Sequence, residues 1–488
     1  MPQRFPDTPN FTGMNRPVRI EANIDDLEYD GEIPEGVRGT FYRCGPDPRF
    51  PPMYGDDINV NGDGMAMMFR FGDGHVGFRS RYVRTERYEL ESAAHRALFG
   101  VYRNPYTDDP SVRGRSGTTA NTNAFFHAGR LFALKEDGLP HELNPDTLET
   151  RGRYDYGGRM KSLTATAHPK IDPRTGEMLS HGYEAVGLAS RDVALQVISR
   201  EGELVREDFF MAPYCSFMHD WAVTADHFIF PITPTTADDA RMRQGGAHWM
   251  YQPGLEGQFG IMRRDAEVSD IRWYRIPNCA IGHVQNAFND GDKVYVDVFI
   301  SEANNFPFIA NADGSPFSRE KSIPRLTRFT FDLARRDDGF ESGTLYDRFM
   351  EMPAIDTRYA LNPYRHAFSA TIDMSRPLNA TGTIGYGWNT INRLDIATGG
   401  LESYYVGDNV TTGEPCFVPR SPDAPEGDGY VMGVLACHDG APHSRLIVLD
   451  TEHFSDGPVC TVYLPFRLHS AVHGNWVPSQ GLGASAQR

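Results

Sequence analysis

The chain has 488 residues, 40% of them hydrophobic, and carries a formal net charge of -17. A protein of that length can bury a large core. The absence of any Lys- or Arg-rich run excludes a basic surface for nucleic-acid phosphates and disfavours docking on an anionic membrane.

The opening "MPQRFPDTPNFTGMNRP" lacks the apolar core of a signal peptide, and no apolar run approaches the length of a membrane span. The six cysteines (Cys44, Cys215, Cys279, Cys416, Cys437 and Cys460) are scattered, with no C-x-x-C pair. That pattern predicts reduced thiols and a cytoplasmic protein rather than a disulfide frame or a zinc site.

Short strands dominate. "MMFRFGDGHVGFRSRYV" predicts two strands around a Gly-Asp-Gly turn. Helical pattern is confined to "ERYELESAAHRALFG" and "TADDARMRQ". "HFIFPIT" reads as a strand. "NDGDKVYVDVFI" reads as a turn and then an alternating strand, with Val294, Val296 and Val298 on one face. "GYVMGVLA" and "SRLIVLD" follow as further strands.

One turn recurs in four versions: "LNPDTLE", "IDPRTGE", "LDIATGG" and "LDTEHFSDG". Each places Asp or Asn after an apolar residue, where its side-chain oxygen can accept from the backbone two residues on. The last two lie about one propeller blade apart. The pattern favours a β-propeller over a large sandwich of ordinary hairpins. No Pro/Ser/Gly linker divides the sequence, so residues 1–488 are expected to form one domain with long loops.

Sixteen histidines are too many to sort by residue type alone. Four are single histidines beside apolar or strand-like residues: His168 in "TAHPKIDP", His219 in "FMHDWAVT", His283 in "NCAIGHVQNAF" and His473 in "LHSAVHGNWVP". No local metal motif has such wide spacing. In a propeller, however, residues about a blade apart in sequence meet at the axis. Four neutral imidazoles suit iron, zinc or copper by donor type. Four ligands fill a tetrahedral zinc, whereas six-coordinate iron keeps two positions open for oxygen chemistry. His469, four residues before His473, stands roughly 13 Å from it along a strand and is not expected to share a metal. His127, His141, His248 and His366 lie in turn-rich context and receive no ligand role.

The sequence resembles the carotenoid cleavage oxygenases, above all their lignostilbene dioxygenase and isoeugenol-cleaving branch. The resemblance runs nearly end to end. It is carried by "GTFYRCGPDPRFPP", "NGDGMAMMFRF", "FGVYRNPYTDD", "ALKEDGLPHELNPDTLETRG", "TAHPKIDP", "FMHDWAVT", "EMPAIDTRYA", "GEPCFVPRSPDAPEGDGY" and "LPFRLHSAVHGNWVP". It implies an all-β fold, a seven-bladed β-propeller capped by a dome of loops and short helices. It implies an Fe(II) cofactor held by His168, His219, His283 and His473. It further implies that Glu136 orients His219, Glu351 orients His283 and Glu414 orients His473. A ligating imidazole needs its other N–H held by an acceptor, which fixes tautomer and ring angle.

The same branch binds the phenol oxygen of its substrate with a tyrosine and a lysine, here Tyr102 and Lys135. Lys135 and Glu136 are neighbours, so a bend is expected there to aim them at different targets. Stilbene-cleaving relatives have an aromatic residue just before the "NGDG" block. Here it is Val60, which shifts the expectation toward phenylpropenes. Phe306 and Phe308 are candidates for the pocket wall, with ordinary core packing expected for at least one of them.

The implied reaction is O₂-dependent cleavage of the exocyclic double bond of a 4-hydroxyphenyl alkene. The substrate is a phenylpropene or vinylphenol such as isoeugenol or 4-vinylguaiacol, or a hydroxystilbene such as lignostilbene or resveratrol. The products are aromatic aldehydes such as vanillin. No nucleic-acid or membrane partner is expected, and the oligomeric state is not readable. Two other readings stand beside this one. An apocarotenoid oxygenase of the same family would want a long apolar tunnel, for which Lys135 is a poor lining. A propeller used as a binding scaffold would need no histidine set and would bind no iron.

Overall fold

The computed structural model describes residues 4–377, 387–438 and 443–482. Among them the strands form seven radial antiparallel blades and one small extra sheet. Blade II is made of Asn123–His127, Arg130–Leu134, His141–Leu143 and Thr150–Arg153. Blades III to VI likewise run outward from their first strands, which are Lys170–Ile171, Ala222–Val223, Ala280–Asp290 and Glu351–Ile355. Several of these first strands lie against those of the neighbouring blades round the axis.

The two ends of the described chain interleave. Blade I takes its innermost strand, His473–Pro478, from the C-terminal end and lays it antiparallel on Gly39–Pro46. Blade VII begins with Cys416–Pro419 and receives its outermost strand, Tyr29–Gly31, from the N-terminal end.

Blades stack through alternating apolar residues. Val294, Val296 and Val298 are fully buried against Ile229, Phe259 and Ile261 of the preceding blade, the face expected from alternation. Each such residue contributes roughly 1.5–3 kcal/mol by leaving water. Between blades VII and I the same packing joins Phe41, Met67, Phe69 and Phe78 to Met432, Leu446, Val448 and Val462.

The four recurring turns all close blade hairpins. Asn144, Asp172, Asp395 and Asp450 each accept the backbone N–H two residues on, at 2.8–3.0 Å. The Gly-Asp-Gly turn also forms, with Asp73 and Gly74 both left-handed (φ 52° and 81°) as a tight hairpin of the native twist requires.

The first predicted helix is shorter than its sequence pattern. It spans Glu86–Ala94, capped by Thr85, and stops at His95, whose φ is 53°. Glu91 causes the early exit: its carboxylate accepts the N–H groups of Leu98 and Phe99 and pulls the backbone off the helix path. The second helix is a short turn, Asp239–Arg243, capped by Asp238. Beside it stands the extra sheet, Thr235–Ala237, Trp249–Tyr251 and Ala310–Asn311. No helix among the described residues is long and apolar enough to cross a membrane.

Candidate metal centre and substrate pocket

His168 and His219 immediately precede the first strands of blades III and IV, and His283 lies within that of blade V. His473 opens the innermost strand of blade I. The four sites thus meet at one end of the axis, and one ligating nitrogen from each lies within 4.8 Å of the others.

The ring Nδ1 atoms point outward to carboxylates. His219 meets Glu136 at 2.5 Å, His283 meets Glu351 at 2.6 Å and His473 meets Glu414 at 2.8 Å. A carboxylate accepts, so each Nδ1 carries the proton and each Nε2 faces inward with its lone pair. The Nε2 atoms of His219 and His283 are 3.2 Å apart, and those of His168 and His219 are 3.3 Å apart. Nε2 of His473 is buried without any hydrogen-bond partner. Converging lone pairs repel unless a cation sits among them. Metal–imidazole bonds of about 2.1 Å at right angles place neighbouring nitrogens about 3 Å apart, so the cage fits a metal ion.

Local backbone irregularities aim these groups. The ladder of blade V shifts register between Ile281 and Val284, which leaves His283 in a bulge. A second shift follows Glu351, where Met352 adopts a left-handed φ of 56°. Gly282 makes the approach possible, because a Cβ there would lie 2.1 Å from a Glu351 carboxylate oxygen. Asp220 ties three blades together behind the cage. It accepts from Lys170 of blade III at 2.7 Å and from the Val284 N–H of blade V at 2.8 Å. Neither Gly282 nor Asp220 was visible as a site residue in the sequence; the only hint was an acid and a glycine each adjoining a histidine.

Electrostatics separate the histidines. Burial and then the charges of His473, His219 and His283 push His168 well below the ordinary histidine range; no carboxylate holds its ring. Burial also pulls His283 down, yet the charge and hydrogen bond of Glu351 more than reverse this, raising it to about 9. Glu136 shows the mirror image. Burial raises its carboxyl, but His219 holds it down at about 2.

The pocket wall follows from the same elements. Phe217 stacks on His219 at 5.4 Å, and Phe306 meets His219 edge-on at 5.9 Å. Phe308 packs on Phe306 at 5.5 Å, one ring further from the cage. Phe217 was not picked out by the sequence, although its position two residues before His219 puts it on the same face of an extended segment.

The strand Arg130–Leu134 ends one residue before Lys135, and the backbone turns there as expected. Glu136 thereby reaches His219, while the Lys135 Nζ donates to Thr119 Oγ1 at 2.8 Å and to the Val60 carbonyl at 3.2 Å. Its ammonium lies 5.2 Å from the Tyr102 ring centre. Lys135 is almost wholly buried, and burial lowers its pKa against the opposing charges of Asp137 and Glu136. Val60 therefore enters the site through its backbone carbonyl as well as its side-chain position. Asp137, 3.9 Å from Nζ, also lines a separate cavity of about 220 Å³ with Arg103, Glu184 and His248. The histidines of the cage do not line that cavity. His127, His141, His248, His366 and His469 all lie outside the cage.

Comparison with known proteins follows this geometry. The family model for retinal pigment epithelial membrane protein, RPE65, matches residues 15–478. Isoeugenol monooxygenase of Pseudomonas nitroreducens is 45% identical over 96% of this chain and 98% of its own. Lignostilbene-alpha,beta-dioxygenase isozyme III of Sphingomonas paucimobilis is 41% identical over 99% of both chains. The crystal structure of Pseudomonas brassicacearum lignostilbene dioxygenase superposes with a TM-score of 0.94 at 41% identity, covering 98% of this chain and 100% of that one. Propeller, histidine cage and full-length similarity agree: the chain is an oxygenase and belongs to the RPE65 family, the carotenoid cleavage oxygenases.

Proposed function

We propose that this protein is a non-haem Fe(II) dioxygenase that cleaves the exocyclic double bond of 4-hydroxyphenyl alkenes with O₂, giving aromatic aldehydes. The observation that carries the substrate class is Lys135: a buried ammonium beside Tyr102, one residue from the carboxylate that orients His219. An apocarotenoid would gain nothing from that cation, and burying it unused is costly.

His168, His219, His283 and His473 would hold the iron, with Glu136, Glu351 and Glu414 fixing three of the rings. When bound, ferrous iron supplies the site at which O₂ is activated. The protein itself does the rest. Lys135 and Tyr102 bind the para-oxygen and favour its phenolate form, which pushes electron density through the ring into the alkene. Phe217 and Phe306 pack the aromatic substrate beside the cage and exclude water. No reductant is required, because cleaving the alkene to two carbonyl groups releases the four electrons that O₂ accepts.

All 488 residues act as one catalytic domain in this reading. The six cysteines are buried thiols rather than disulfides, in keeping with a cytoplasmic protein. An aliphatic residue at Val60 favours phenylpropenes and vinylphenols over stilbenes, and the relative at 45% identity is named for isoeugenol. The test is a panel of isoeugenol, 4-vinylguaiacol, resveratrol, their para-methyl ethers and an apocarotenal, with aldehydes quantified by chromatography. Turnover of the free phenols alone supports the proposal. Equal rates on phenols and methyl ethers, or turnover confined to the apocarotenal, overturn it.

A further inference from the structure

Arg43 lies in the strand Gly39–Pro46, paired with Gly474 and one residue from the partner of His473. It is 3% exposed, yet its Nε and Nη2 have no hydrogen-bond acceptor, and no carboxylate among the described residues forms an ion pair with it. A buried charge in this condition is expensive, so its retention needs an electrostatic reason.

The fold makes deliberate room for it. A Cβ on Gly474 would lie 2.7 Å from the Arg43 Cγ, and one on Gly413 would lie 3.1 Å from Nη2. The head thus rests against the backbone just before Glu414, the carboxylate that accepts from His473 and from the Gly474 N–H. The guanidinium borders a small cavity of about 20 Å³ shared with His469 and Ser470, room for one water and no more. Burial lowers the Arg43 pKa, and the Glu414 charge is the first influence opposing it.

Charge counting gives the reason, and it rests on the Fe(II) reading above. Glu136, Glu351 and Glu414 bring three negative charges to a ferrous ion with two, leaving one negative charge in surplus. The nearby Lys170–Asp220 pair cancels itself at 2.7 Å. Arg43 makes the ferrous centre neutral, whereas a ferric centre becomes a buried cation. We propose that Arg43 is a positioning residue that acts on the metal centre through Glu414, balancing its charge and holding the iron in the ferrous state.

The experiment is a mediated redox titration of iron-loaded protein, following the ferric signal by electron paramagnetic resonance and iron content in parallel. R43Q is expected to keep its iron and to shift the ferric/ferrous equilibrium toward ferric by about tenfold, about 59 mV. R43K, which keeps the charge, should stay near wild type. E414Q should move the potential upward, and R43Q/E414Q should bring it back down. That second comparison measures the same effect if R43Q alone does not fold. An unchanged potential in R43Q, or equal potentials in E414Q and R43Q/E414Q, overturns the role of Arg43 while leaving the iron reading intact. Wild-type protein that takes up no iron overturns the iron reading and this inference together.

Discussion

At the histidine end of the site, three rings are each tied to a carboxylate carried by a different blade. At the phenol end, one ammonium is tied to one hydroxyl and one backbone carbonyl. The cage is held by redundancy, since losing one orienting bond leaves the other rings in register. The phenol end is held by a single cation, so one substitution there can change what is recognised without disturbing what is bound to the cage. Damage at the two ends should therefore read out differently, in metal content on one side and in substrate discrimination on the other.

The largest effect is expected from removing a ring. His283→Ala, like the same change at His168, His219 or His473, should lose both turnover and most iron, measured by metal analysis. Full iron and full turnover in any one of them would break the cage assignment. Next comes Lys135→Met. It should retain iron and lose about 10- to 150-fold in turnover of free phenols, from the roughly 1.5–3 kcal/mol of a charged hydrogen bond. Methyl-ether substrates should be indifferent to it, and matched kinetics on the two classes decide the point. Glu136→Gln, Glu351→Gln and Glu414→Gln should each cost about 10- to 100-fold in iron affinity or activity. Gly282→Ala should match Glu351→Gln, because its methyl occupies the carboxylate's place; wild-type iron affinity in that variant would show that the bulge can yield. Tyr102→Phe should be mildest, roughly 2- to 13-fold on free phenols, since a neutral donor contributes about 0.5–1.5 kcal/mol. A loss exceeding that of Lys135→Met would reverse the roles given to the two residues.

Much of the blade structure was readable in the sequence because it is local. Val294, Val296 and Val298 face one way through strand alternation, and Asp395 and Asp450 close their hairpins through their own side chains. The cage was not readable that way. Its histidines are separated by 51, 64 and 190 residues, as differences of their positions, and only family resemblance joined them. Glu136 and Glu351 look like turn carboxylates in the sequence, yet they are buried because blades far apart in sequence converge on them. Gly282, Met352, Asp220 and Arg43 stayed silent for a related reason. What each does depends on a partner a blade or more away, or on a backbone twist that no residue type announces.

The interleaved ends have a consequence for assembly. The strand that completes blade I is the one that opens with His473, laid against a strand formed more than 400 residues earlier. In the proposed centre, the fourth ligand arrives only when the ring shuts. Ring closure and metal loading are then two faces of one equilibrium. A nascent polypeptide still missing that strand carries a three-histidine half-site, and a bound ion would favour the closed ring in proportion to the logarithm of its concentration over its dissociation constant. Chelation should accordingly loosen the seam between blades I and VII before any other, making it the first place where backbone amides begin to exchange with solvent.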